Sequence, residues 1–132
     1  MFNIAEMLTM GCVGITIEVC FNATLSYCLG ERTQASMKGE VSMWMFFVYA
    51  VGLTIGFDLI EAVIPDIYTR WFSYPFWIWA IELMIGMPCK WVGIKPWDYT
   101  RIPMNLHWKG IISFMHFPFW IMFGILIEYI RL

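Results

Sequence analysis

Residues 7–30, MLTMGCVGITIEVCFNATLSYCLG, run for 24 positions with a single charge, Glu18. The hydrocarbon core of a bilayer asks for about 20 mostly apolar residues, at roughly 1.5 Å of helix rise each. This stretch meets that length, and three more follow it. Residues 41–57 (VSMWMFFVYAVGLTIGF) hold no charge over 17 positions, residues 71–89 hold Glu82 alone over 19, and residues 110–127 hold none over 18. Lipid offers a backbone no hydrogen bonds, so a spanning segment must be a helix or part of a closed barrel. No stretch alternates apolar and polar residues with period two, which argues against barrel strands. The sequence therefore predicts an all-α membrane protein. Its architecture would be a four-transmembrane-helix bundle in a single membrane domain, residues 1–132, with helices near 4–29, 42–63, 71–87 and 109–131.

Composition points the same way. Of 132 residues, 61% are hydrophobic and 14% charged, where soluble domains average about 45–50% and about 25%. The mean hydropathy of +0.69 excludes a disordered chain and argues against a soluble enzyme. A net charge of −2 supplies no basic field to hold nucleic acid. Glu6 precedes the first apolar run with no Lys or Arg before it, unlike a cleavable signal peptide, so the first helix is expected to remain in the mature protein.

The connections differ in length. Residues 30–42 form a first loop, residues 64–70 a tight turn opened by Pro65, and residues 88–109 a 22-residue third loop with three prolines. A loop so long is uncommon and is expected to be folded and functional. Arg32, Lys38, Lys90, Lys95, Arg101 and Lys109 lie on the side of loops one and three, against Arg70 and Arg131 on the other. That bias predicts cytoplasmic first and third loops in a cell or inner membrane.

A carboxylate in mid-membrane costs about 2.5–3.5 kcal/mol on insertion scales, so Glu18 and Glu82 are expected to face inward. Asn22 lies four residues beyond Glu18, on the same helix face. Trp79, Glu82 and Gly86 form one stripe, and Ser113, His116, Trp120, Gly124 and Glu128 another. Asp58, Glu61 and Glu128 fall nearer span ends. Gly52 and Gly56 match the small-xxx-small spacing of close helix packing. Pro118, within the expected fourth span, predicts a kink and a freed Phe114 carbonyl. His107 and His116 read as hydrogen-bonding side chains rather than metal ligands. Cys12, Cys20, Cys28 and Cys89 show no C-x-x-C pair and read as small hydrophobes. The Asn22-Ala-Thr glycosylation pattern sits inside a span, out of reach of a glycan. In the third loop, Pro96-Trp97-Asp98-Tyr99 places interfacial aromatics beside an acid, with Lys95 and Arg101 near enough to pair with it.

These motifs, taken in order, resemble the transmembrane protein 229 family and its bacterial relatives, the CmpB-like membrane proteins grouped with type IV ABC transporters. The resemblance rests on Gly14-x-x-x-Glu18, on Trp44 through Tyr49, on Glu82-x-x-x-Gly86, on Trp97-Asp98-Tyr99-Thr100, and on Gly110-Ile111 before an aromatic fourth helix ending at Glu128. The interval from Tyr99 to Gly110 is longer here than in the family pattern, and Asp58 and Glu61 match nothing in it. The resemblance implies a small four-helix membrane protein sharing Glu18, Glu82 and Asp98; it implies no particular activity. The chain has no nucleotide-binding P-loop pattern.

Residues and resemblance together nominate Glu18, Asn22, Trp44, Tyr49, Glu82, Trp97, Asp98, Tyr99 and His116 as a ligand-binding or polar core. The function expected first is an ion or small-solute permeation or ligand-binding unit. It would work as a homo-oligomer or with membrane-protein partner subunits, because four helices leave little interior room. A structural or accessory subunit of a larger membrane complex is the second expectation. A membrane enzyme using Glu18 and Glu82 as an acid/base pair is the third and weakest, with no cofactor fingerprint, metal set or nucleophile motif beside them.

Overall fold

The computed structural model describes residues 3–28 and 38–131, and of Pro103 the backbone alone. Arg32 of the first loop and Leu29, the expected end of the first helix, lie outside the described residues. Four helices dominate: α1 Ile4–Cys28, α2 Trp44–Val63, α3 Ile67–Trp91 and α4 Phe117–Arg131. Two short strands, β1 His107–Trp108 and β2 Ile112–Ser113, complete the regular structure of the third connection. By length and composition, α1 and α2 are long and apolar enough to cross a membrane. The third helix has the length, at 25 residues, but Trp, Tyr, Pro and Glu82 dilute its apolar character. The fourth has 15 residues, about 22 Å at the standard rise. The chain divides into two compact units, Met1–Phe57 and Asp58–Leu132.

In the first unit, the Asn3 side chain accepts the Ala5 N–H at 3.1 Å and so caps α1. The α1 helix packs on the Trp44–Gly56 part of α2, and glycines set how closely. A Cβ added at Gly11 would lie 2.8 Å from the Phe46 ring, and one at Gly14 would lie 2.2 Å from the Tyr49 ring. Within α2, Gly52–Gly56 forms a π-helical turn. Thr54 donates its hydroxyl to the Ala50 carbonyl at 2.7 Å there, a back-bond that loosens the regular ladder. Gly52 and Gly56 therefore bracket the turn rather than pack against a neighbouring helix: a Cβ at either meets nothing within 4 Å among the described residues.

The second unit begins its long helix earlier than the sequence suggests. Pro65 blocks continuation of α2, and the Asp66 carboxylate accepts the Thr69 N–H at 2.8 Å, so α3 starts at Ile67 rather than near 71. Hydrogen bonds from the Thr69 side chain and backbone hold the exposed Asp66 carboxyl below its ordinary range. At its other end α3 continues through Pro88 to Trp91. The fourth helix starts later than expected, at Phe117 instead of near 109. Lys109 and Gly110 both take positive φ, 52° and 72°, which closes a three-residue hairpin loop, 109–111, and forbids helix there. The strands pair antiparallel, His107 with Ser113 and Trp108 with Ile112. Pro118 consequently sits in the first turn of α4, where a missing N–H costs nothing, and makes no mid-helix kink. The Phe114 carbonyl accepts the Phe117 N–H at 3.3 Å.

The third helix packs on α4 and on β2. Tyr74, Pro75, Ser113 and Ile127 are the most completely buried side chains. Outside this small core the surface is apolar: Phe72, Phe76, Ala80 and Met84, four residues apart, all stay exposed on α3, as do Met122, Leu126, Tyr129 and Ile130 on α4.

Candidate functional site

A small device recurs in this chain. A glycine and a glutamate lie one turn apart on a helix, and a tyrosine puts its hydroxyl on the carboxylate. In the first unit Gly14 makes room for the Tyr49 ring, and the Tyr49 hydroxyl hydrogen-bonds Glu18. In the second, Gly124 makes room for the Tyr74 ring, where a Cβ would stand 2.1 Å from it, and the Tyr74 hydroxyl donates to Glu128 Oε1. The spacing has a physical reason. Residues four apart share a helix face, so a ring packed against the glycine reaches the acid one turn along.

Glu82 and Gly86 run the motif in reverse. Gly86 admits Ile111 and Trp97, which would lie 2.7 and 3.2 Å from a Cβ there. The Trp97 indole N–H donates to the Ile111 carbonyl at 2.9 Å, tying the third loop to the hairpin. The loop thereby delivers Tyr99, whose hydroxyl donates to Glu82 Oε1 at 2.6 Å. The Tyr99 ring lies 5.3 Å from the His116 ring. His116 is hydrogen-bonded through Nδ1 to the Ser113 hydroxyl, and the Ser113 carbonyl accepts the Trp79 indole N–H at 3.3 Å. Trp120 packs on His116 at 5.8 Å; its indole nitrogen is buried and has no hydrogen-bond partner among the described residues.

Glu128 accepts from three side chains. Arg70 Nε and Tyr74 both donate to Oε1, and the Trp71 indole donates to Oε2 at 2.7 Å. The same guanidinium reaches the Ile64 carbonyl at 2.9 Å, closing the exposed end of α2. The side chains of the Arg70–Glu128 pair are only 13% and 10% exposed. Nearby, Arg131 pairs with Asp58 and with Glu61.

Glu18 Oε2 is buried and has no hydrogen-bond partner among the described residues. Asn22, on the same face, donates to the Glu40 carbonyl at 3.0 Å.

The other expected residues are placed as follows. Glu82, Tyr99 and His116 come together with Trp97 at the edge of their network. Tyr49 is buried beside Glu18, whereas Trp44 is 59% exposed at the start of α2. Asp98 is exposed: its Oδ1 accepts the Thr100 N–H at 2.9 Å, and its Oδ2 lies 3.7 Å from Lys95. The Thr100 N–H and, next in weight among the lowering contacts, the Thr100 side chain and Lys95 hold the Asp98 carboxyl below its usual range against partial burial. Glu18 and Asn22 belong to the first unit, Glu82 and Asp98 to the second. Sequence reading missed Arg70, Trp71 and Tyr74. The signal was present in Gly124 and Glu128, which repeat the Gly14–Glu18 spacing and ask for a tyrosine. Among the described residues no group of three or more His, Cys, Asp or Glu is placed to hold a metal ion.

No protein-family model matches the chain, and no solved structure matches it.

Proposed function

We propose that the chain is an integral membrane protein crossing the bilayer four times, and that it binds or passes an ion or small polar solute through contacts with Glu18. Kinship with the transmembrane protein 229 family is part of the same proposal, as is assembly into a homo-oligomer or with partner subunits. Support for four spans comes from the exposed apolar stripes of α3 and α4, which match lipid better than water. The six-to-two cation bias supports a cytoplasmic position for loops one and three.

One observation carries the functional reading: a buried Glu18 oxygen with no hydrogen-bond partner among the described residues, in a helix of membrane length. Hydrocarbon supplies no donor, so a cation, a proton or a solute N–H or O–H completes that oxygen. The Trp120 indole N–H, without a hydrogen-bond partner among the described residues, offers the opposite polarity in the second unit. The test is flux and ligand uptake in liposomes reconstituted with Glu18→Gln beside Glu128→Gln. Glu18→Gln removes uptake and leaves the thermal unfolding midpoint in place. Unchanged uptake in Glu18→Gln ends the reading.

A second reading, a structural or accessory subunit, draws on Glu128, whose three side-chain donors from α3 make it a tie between α3 and α4. Native mass spectrometry in mild detergent separates the two: a stoichiometric companion chain favours the accessory role, and a homo-oligomer favours the binding unit.

A further inference from the structure

Three lysines of the second unit converge on one concavity at the end of α3. Lys90 comes from its last turn, Lys95 from the loop that follows, and Lys109 from the hairpin turn. The cleft has a volume of about 100 Å³, several times the roughly 10–15 Å³ that one water needs. Its single acid is Asp98. Three ammonium groups beside one carboxylate leave a net positive hollow, and like charges gathered in a concave surface attract an anion.

The cleft is also held in shape. Lys90 Nζ donates to the Lys109 carbonyl at 3.2 Å, and the Lys109 ammonium lies 4.6 Å from the Trp108 ring centroid. Gly110 closes the back wall: a Cβ there would lie 2.8 Å from the Thr100 methyl and 3.1 Å from Asp98 Oδ1. The chain flanking the cleft is greasy. Trp91 is 77% exposed, Val92 71% and Ile94 41%. Cations beside outward-facing Trp and aliphatic side chains are the chemistry of the membrane–water boundary, where basic pockets take lipid headgroups.

We infer that this cleft seats the phosphate of an anionic phospholipid, with Lys95 and Lys109 on the phosphate oxygens and the lipid's apolar body against Trp91, Val92 and Ile94. The inference rests on the membrane reading given above, and adds a lipid ligand at a place apart from Glu18. The test uses the full chain in nanodiscs of phosphatidylcholine with increasing phosphatidylglycerol, with retained lipid counted by native mass spectrometry. Phosphatidylglycerol is retained in preference, and Lys95→Gln and Lys109→Gln each lower that preference about fivefold. Arg101→Gln, an exposed cation of the same loop outside the cleft, leaves it unchanged. Equal loss in Arg101→Gln means a diffuse field rather than a cleft, and overturns the inference. A second arm titrates inorganic phosphate against the chain in pure phosphatidylcholine discs. Phosphate binding with no lipid preference assigns the cleft to a soluble anion and overturns the lipid; no binding in either arm overturns the site. Failure of the membrane reading shows separately, as release of the chain by alkaline carbonate, whatever the lysines do.

Discussion

At position 124 an added methyl group would meet the Tyr74 ring at 2.1 Å, while the hydroxyl of that ring holds Glu128. Two substitutions divide the arrangement. Gly124→Ala forces the ring aside and is expected to destabilise by about 1–3 kcal/mol, as overpacking does. Tyr74→Phe keeps the ring and removes one donor to a charged group, at about 1.5–3 kcal/mol. Arg70→Met goes further, leaving a buried carboxylate without its cation, and should cost about 3–5 kcal/mol. Unfolding midpoints in one detergent rank the three, and an Arg70→Met variant as stable as Tyr74→Phe would refute the buried pair. The acids and glycines of this device were legible in the sequence because both sit on one helix, where a spacing of four decides the face. Tyr74 and Arg70 were not, because they stand 54 and 58 positions from Glu128 and no local periodicity links them.

Elements were legible where charge interrupts them and misplaced where conformation does. Gaps between charges located all four helices. The start of α4 was misjudged because Lys109 and Gly110 look unremarkable in a helix until both take positive φ; Pro118 then reads as a first-turn proline instead of a kink. Gly52 and Gly56 mislead in the same way, since two glycines four apart suit both a tight crossing and a π-turn. Gly52→Ala and Gly56→Ala are therefore expected to be neutral or to stabilise by roughly 0.5–1 kcal/mol, whereas Gly14→Ala destabilises; calorimetry of the three variants checks the contrast. The third loop carries a pH dependence of known sign. Because the folded Asp98 carboxyl lies below its ordinary range, its contribution is complete above about pH 4 and is lost as pH falls through the lower, folded value. The protection factor of the Thr100 amide against hydrogen exchange should fall across that acid window in the native chain and stay flat in Asp98→Asn.

For the molecule as a whole, composition and charge spacing sufficed to suggest lipid, and two of the four helices are long and apolar enough to cross a membrane. The proposed sidedness rests on the cations. In a variant with its four cysteines replaced by serine, Lys38→Cys and Lys95→Cys should react with a charged maleimide from one face of sealed vesicles, and Asp66→Cys from the opposite face. Labelling of Lys95→Cys and Asp66→Cys from the same face would remove α3 as a span. The native cysteines hold a last consequence. Cys12, Cys20 and Cys28 stay exposed along α1 on a row that winds about 160° around the helix, with Thr16 and Thr24 between them turning their hydroxyls onto the Cys12 and Cys20 carbonyls. Set in a bilayer, sulfur atoms of that row look into acyl chains. Charged, water-borne thiol reagents do not enter there, so those cysteines would be modified only once the chain is extracted and unfolded.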